Sequence, residues 1–146
     1  MNVNQQEENV VSDLYDNYNE TQKEILAIEI RKTKNKLISI AIVIFAFDLF
    51  SLLVINAVSP ATLVWILIIP LILAGLAFLS VKEPLAAMII GAVIIVGLWV
   101  YTIVATGGRA AISGWIGKAI IIYLLIAGFQ NAREATKIKS ELKGSL

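Results

Sequence analysis

The sequence contains no cysteine and no histidine. The lack of cysteine excludes disulfides, thiolate metal sites and cysteine nucleophiles. The lack of histidine removes the most common metal ligand, the usual haem ligand and the usual general base near neutral pH. We therefore expect no metal site and no cofactor, and we do not expect a redox subunit that holds haem or an iron–sulfur cluster in its own helices.

Charged residues are also scarce. They make up 16% of the 146 residues, while 58% are hydrophobic, and a soluble domain carries about a quarter charged residues. The apolar residues form long unbroken blocks, which the periodic pattern of a soluble helix or strand does not produce. The formal net charge of +1 gives no argument for nucleic acid as a partner. The composition therefore predicts an integral membrane protein, with the lipid bilayer as its first partner.

Four segments are long and apolar enough to cross the hydrocarbon core, which takes about 20 residues of helix. The fourth segment includes Lys118, because the apolar run after this lysine is too short to cross alone. Short connections between the segments favour antiparallel neighbours. The sequence thus predicts an all-α fold, an integral membrane four-helix antiparallel bundle with cytoplasmic helical extensions at both ends. The four predicted spans are residues 37–58, 61–80, 84–106 and 111–129.

The connections carry residues typical of helix ends. Ser59 followed by a proline fits an N-cap before the first helical turn. The stretch from Ser80 to Glu83 matches a capping box and is followed by Pro84. Gly107 and Gly108 fit the end of the third span.

The two ends of the chain differ from the spans in composition. Residues 1–20 carry five carboxylates and no basic residue, which predicts an acidic tail, disordered or weakly helical. Tyr15 and Tyr18, close to Leu14, are unusual in a purely solvated tail and keep partner docking open. Residues 21–36 are expected to form a cytoplasmic juxtamembrane helix, and residues 130–146 a cytoplasmic C-terminal helix and tail.

Basic residues predict the orientation. One group precedes the first span and another follows the fourth, whereas the first loop has no basic residue and the third has only Arg109. The positive-inside rule then places both termini in the cytoplasm, and these side chains at the anionic surface of the membrane. A general likeness to small four-span bacterial membrane proteins favours the bacterial inner (plasma) membrane. The predicted membrane-surface residues are Arg31, Lys32, Lys34, Lys36, Arg133, Lys137, Lys139 and Lys143.

Two charges fall inside the predicted spans. Asp48 lies almost at the centre of the first span, where an aspartate costs roughly 2.5–3.5 kcal/mol on insertion scales. Lys118 lies slightly outward of the centre of the fourth, within about 4 Å of the same depth by helical rise. We therefore predict that Asp48 and Lys118 face each other as an intramembrane charge pair. The alternatives are a neutral Asp48 hydrogen-bonded to Ser51 while Lys118 extends outward, a proton or ion pathway, and pairing with another protein's helix.

Small residues and one proline are candidates for helix packing and shape. Ala110 with Gly114, and Ser113 with Gly117, have the small-xxx-small spacing that lets membrane helices approach closely. Pro70, at the centre of the second span, removes one backbone hydrogen bond and predicts a kink near Ile66.

Four short spans with an acidic residue in the first, Asp48, resemble the small multidrug resistance transporters. The resemblance covers the span count and Asp48 alone, and implies a proton-coupled carrier. The acidic N-terminal stretch and Lys118 depart from it, so no family is assigned.

The sequence favours a non-enzymatic four-span membrane protein that acts by interaction, as an accessory or scaffold subunit or a homo-oligomer. Its partner would be another protein or a second copy, bound through the membrane helices or the cytoplasmic ends. The alternative is a small secondary transporter or ion-coupled carrier that uses Asp48 and Lys118. An enzyme is not expected, because no cluster of catalytic residue types is present.

Overall fold

The computed structural model of the chain describes residues 3–54, 56, 58–106 and 114–144. In these residues the secondary structure is helical, with four helices and no strand, which confirms the predicted all-α class. All four are long and apolar enough to cross a membrane. The helices are α1 (Val3–Val54), α2 (Pro60–Leu79), α3 (Pro84–Ala105) and α4 (Trp115–Gly144).

Helix α1 is a single helix of 52 residues, about 78 Å long at 1.5 Å per residue. It begins at Val3 and so includes most of the stretch predicted as a disordered or weakly helical tail. The first 59 residues of the chain contain no glycine and no proline, the two residues that most strongly interrupt a helix. The backbone leaves the helix by Asn56, which has a positive φ of 52° and donates its N–H to the Leu53 carbonyl. Asparagine tolerates this left-handed conformation better than most residues.

The starts of α2 and α3 differ in how they are capped. Ser59 is the N-cap of α2, and its hydroxyl accepts a hydrogen bond from the Thr62 N–H, as its position before Pro60 predicts. The predicted capping box at Ser80 is wrong. Ser80 is the C-cap of α2, where its Oγ donates to the Ala77 carbonyl. Glu83 is the N-cap of α3, and its side chain makes no capping hydrogen bond to that helix. Only four residues separate α2 from α3, so Ser80 is taken up by the end of the preceding helix.

The most extensive helix contact joins α1 to α4, followed by α1 with α2 and α3 with α4. Gly128 of α4 packs against Lys36 of α1, and Gly117 of α4 packs against Phe47 of α1. Moving forward along α1 therefore corresponds to moving backward along α4, and these two helices run in opposite directions. Their antiparallel contact continues past the apolar segments, where Thr33 of α1 and Ala135 of α4 are both fully buried.

The tightly packed core occupies one half of the structure. Leu37, Leu73, Met88 and Gly91 meet there from three helices, and all are buried. In the other half, no described residue of α1 after Ala41 is buried, and the same is true of α2 before Pro70 and of α3 after Ile95. The helices thus pack closely at the end where the basic residues lie and loosely at the other end.

Candidate functional site

A cavity of about 290 Å³ lies in the loosely packed half and is lined by residues from all four helices. We name it the four-helix cavity. Asp48 of α1 and Lys118 of α4 both line it, together with Ile69 of α2 and Trp99 of α3. The two charged residues predicted to lie at one depth therefore border the same space. Direct pairing of their side chains stays a prediction.

The contact between Phe47 and Gly117 explains why the two charges share a level. Atoms of the Phe47 ring lie 3.1 to 3.2 Å from the position that a β-carbon on Gly117 would occupy. Phe47 precedes Asp48 and Gly117 precedes Lys118, so this close approach of α1 to α4 holds the two charged residues at corresponding positions. The glycine is buried, and a β-carbon at this position would require the ring to shift by a few tenths of an ångström.

The polar groups in the cavity differ in what they offer a ligand. The Ser51 hydroxyl donates to the Phe47 carbonyl at 2.8 Å, and the Thr102 hydroxyl donates to the Trp99 carbonyl at 2.9 Å. Both hydroxyl protons are therefore used by the backbone, and both oxygens remain acceptors. Ser51 in this arrangement cannot donate to a charged Asp48, but it can accept from a neutral one.

The remaining lining of the cavity is apolar or aromatic. Ile44, Ile95 and Leu98 border it, and the Trp99 indole adds a large flat surface. A space with one carboxylate, one ammonium group and an apolar lining can hold a small polar or charged solute, or a helix that brings its own polar group. Among the residues that the structure describes, no three carboxylates are grouped as a metal site would require.

The predicted packing residues have separate roles. Gly117 makes the close contact with Phe47. Gly114 is exposed and has a positive φ of 66°, and among the described residues no atom lies within 4 Å of its β-carbon position. It serves the turn into α4, where its carbonyl accepts from the Lys118 N–H. Ala110 and Ser113 lie outside the described residues.

Pro70 is buried inside α2, and the helix continues through it from Pro60 to Leu79. The kink predicted from its missing N–H stays a prediction.

The predicted membrane-surface residues lie near the closely packed half. Lys139 of α4 bonds Glu83 at 3.0 Å and also donates to the Lys82 carbonyl, which ties α4 to the connection between α2 and α3. Lys32 pairs with the buried Glu29, and the Lys34 ammonium lies 4.9 Å from the centre of the Phe78 ring. Arg31, Arg133, Lys137 and Lys143 are exposed, and Lys36 is half-buried against Gly128.

Two residues of the cavity, Trp99 and Thr102, are not among the candidate site residues that the sequence predicts. Their spacing of three residues places an indole and a hydroxyl on one helix face. This pattern was available in the sequence, although it does not reveal which neighbouring helix the face meets.

Comparisons of the chain with protein-family models, with curated proteins and with solved structures found no match.

Proposed function

We propose that the chain is a non-enzymatic integral membrane protein whose four helices cross the bilayer as an antiparallel bundle. Large apolar side chains on the outer faces support this proposal. On α2 alone, Val64, Trp65, Leu71 and Phe78 are each more than 60% exposed. Such continuous apolar surface is unfavourable in water, whereas it carries no cost against acyl chains.

The distribution of basic residues supports an orientation with both termini in the cytoplasm of a bacterial cell. Contact of Lys36 with Gly128, and of Lys139 with Glu83, groups the basic stretches of α1 and α4 with the connection that contains Lys82. At the opposite end, the sequence has Arg109 as the single basic residue of two loops. This asymmetry matches the positive-inside rule for the inner membrane.

The protein acts by interaction with another protein, and the observation that carries this is an exposed face on the first half of α1. Leu14, Tyr18, Ile25 and Ile28 are between 38% and 64% exposed, and their spacing places them on one side of the helix. We name them the N-terminal face. They precede the basic residues at the start of the first span, so burial in hydrocarbon does not account for them.

The charge of this region favours a partner with a basic surface. Residues 1–20 carry five carboxylates and no basic residue. Two copies paired side by side through this segment would bring ten carboxylates together, and like charges at such a contact destabilise it. A different protein that presents a helix with apolar residues flanked by lysine or arginine suits the face better.

The test is purification of the full chain from its membrane in mild detergent, with the mass of the complex measured by light scattering. We expect one stoichiometric partner protein, and we expect Leu14→Ser with Tyr18→Ser to lose it. The matched control is Lys23→Ser with Ala27→Ser, two exposed residues on the opposite side of the same helix. A chain that elutes alone, or a control that also loses the partner, contradicts the proposal. A mass of two copies of this chain assigns the face to a homo-oligomer instead.

A second candidate function, a small ion-coupled carrier, is favoured by one observation. Asp48 and Lys118 line the same cavity, to which all four helices contribute. A carboxylate in such a cavity can bind and release a proton or cation as the cavity opens to either side.

Proteoliposomes containing a pH-sensitive dye test this function. A carrier predicts proton-coupled uptake that Asp48→Asn abolishes, while Glu29→Gln, which changes a carboxylate outside the cavity, leaves uptake intact. Fluxes equal to those of protein-free liposomes exclude the carrier function.

A further inference from the structure

A second space, of about 320 Å³, lies on the outside of the molecule between the start of α3 and the middle of α4. Leu85, Ile126 and Phe129 form its apolar part, and Gln130 and Arg133 form its polar part. We name it the α3–α4 groove. It opens away from the core, because Ile126 is 55% exposed and Gln130 and Arg133 are exposed as well.

The polarity of the groove changes in one direction along α4. Ile126, Gln130, Arg133 and Lys137 are spaced by four, three and four residues, which places them on one helix face. The face thus passes from an aliphatic side chain to an amide, then to a guanidinium and an ammonium group. From Ile126 to Arg133 the helix rises about 10 Å.

The Arg133 guanidinium is available to a ligand. Among the residues that the structure describes, no carboxylate lies within 4 Å of it. Glu83, close to Leu85 in the chain, is engaged by Lys139, and Glu141 lies 3.9 Å from Lys137. Glu134, next to Arg133 in the chain, is exposed and does not line the groove. Among the residues that line the groove, Arg133 therefore carries the single charge.

We propose that the α3–α4 groove binds an anionic phospholipid. The first part of one acyl chain packs against Ile126, Phe129 and Leu85. The Gln130 amide donates to an ester carbonyl, and the planar guanidinium of Arg133 donates two parallel hydrogen bonds to the phosphate, a geometry that lysine does not offer. The inference rests on the proposed insertion of the helices in a bilayer.

Lys137 supplies the preference for a lipid with net negative charge. It lies one turn beyond Arg133 on the same face, near the position of the headgroup substituent. The Glu141 carboxylate lies 3.9 Å from this ammonium group and both side chains are exposed, so the pair is weak and the ammonium group can still contact a headgroup. The choline of a zwitterionic lipid would bring another cation next to it, whereas glycerol would not. We therefore expect phosphatidylglycerol to bind more tightly than phosphatidylcholine.

The test is titration of the detergent-purified full chain with dioleoylphosphatidylglycerol or dioleoylphosphatidylcholine, with bound lipids counted by native mass spectrometry. We expect one tightly held phosphatidylglycerol and an affinity that falls at least about tenfold in Arg133→Gln, the loss of a charge-assisted contact. Lys143→Gln removes the same charge from the same helix outside the groove, and it should bind like the unchanged protein. Circular dichroism and elution volume check that each variant is folded.

Two further measurements separate the possible results. Phe129→Ala should weaken binding of the lipid, and glycerol 3-phosphate should not compete for the groove, because it lacks the acyl chains. Equal affinity for the two lipids, equal effects of Arg133→Gln and Lys143→Gln, or full competition by glycerol 3-phosphate would each overturn the proposal. A chain that alkaline carbonate washes from membranes would instead refute the insertion on which it rests.

Discussion

Phe47 of α1 lies against Gly117 of α4 in the loosely packed half of the molecule, with ring atoms 3.1 to 3.2 Å from the β-carbon position. Each of the two residues precedes one of the charged residues of the four-helix cavity. The packing of a ring on a glycine thus sets the positions of the carboxylate and the ammonium group, and this relationship can be tested by changing the glycine.

Gly117→Leu should destabilise the protein by about 1–3 kcal/mol, because the added side chain occupies the space of the Phe47 ring. The measurement is thermal unfolding in detergent. Gly97→Leu is the matched control, since Gly97 lies inside α3 and has no atom within 4 Å of its β-carbon position. Equal loss of stability in both variants would mean that the close contact does not hold α1 and α4 together.

The effects of substitutions at Gly128 and Met88 on stability should depend on each other. A β-carbon on Gly128 would lie 2.5 Å from the Met88 Cε, at the end of an unbranched and fully buried side chain. We expect Gly128→Ala to lower the free energy of unfolding of the otherwise unchanged protein. In the Met88→Ala background, the same glycine change should leave the free energy of unfolding unchanged or raise it. The coupling free energy should be about 1 kcal/mol, within the range for residues in contact.

Gly97→Ala provides the control for this pair. Gly97 lies nine residues from Met88 on α3, about 14 Å by helical rise, and among the described residues no atom lies within 4 Å of its β-carbon position, so it should combine additively with Met88→Ala. Additive behaviour of Gly128→Ala with Met88→Ala would contradict the predicted contact.

Gly114→Ala should cost about 1–2 kcal/mol although space surrounds this residue, because its φ of 66° disfavours any residue with a β-carbon. Gly97→Ala is the comparison, with the same open surroundings but a helical backbone, where alanine stabilises by up to about 1 kcal/mol. Thermal unfolding of both variants under identical detergent conditions measures the difference in their stability. Two variants of equal stability would show that the turn before α4 imposes no backbone constraint.

The Lys139–Glu83 pair should contribute less than about 1 kcal/mol to global stability, because both side chains are partly exposed. Its effect should be local. Lys139→Gln should speed amide hydrogen exchange in the last turns of α4, since it also removes the bond to the Lys82 carbonyl. The change should shrink at high salt, which screens the ion pair.

The control for that prediction is Lys137→Gln. Lys137 pairs with Glu141 at 3.9 Å within α4 itself and ties this helix to no other element. If exchange at the end of α4 increases equally in both variants, the bond to the connection between α2 and α3 is not what holds it.

Local sequence signals predicted the structure correctly at a helix end that depends only on residues close together in the chain. Ser59 before Pro60 predicted the start of α2, because a capping hydroxyl and its amide lie three residues apart. The same reasoning failed at Ser80, since two helix ends compete for one serine in a short connection, and sequence spacing does not say which end takes it. Acidic composition predicted a disordered or weakly helical tail over residues 1–20, and α1 begins at Val3 in a stretch that has no glycine or proline.

Features that depend on packing could be predicted only in part. Helical rise predicted a common depth for Asp48 and Lys118, and both residues line one cavity in the structure. The contact of Gly117 with Phe47 could not be predicted in this way. A small residue indicates that another helix comes close, but it does not show which side chain of that helix packs against it. The contribution of Trp99 and Thr102 to the cavity depends on how α3 is rotated about its axis, which an almost uniformly apolar span does not reveal.

The unbroken course of α1 has a mechanical consequence. Leu37 is fully buried in the closely packed half. Leu14 lies about 34 Å to one side of Leu37 along the helix and Asp48 about 16 Å to the other. A sideways force on the Leu14 end would therefore be transmitted along one unbroken helix to a residue that lines the four-helix cavity together with Lys118.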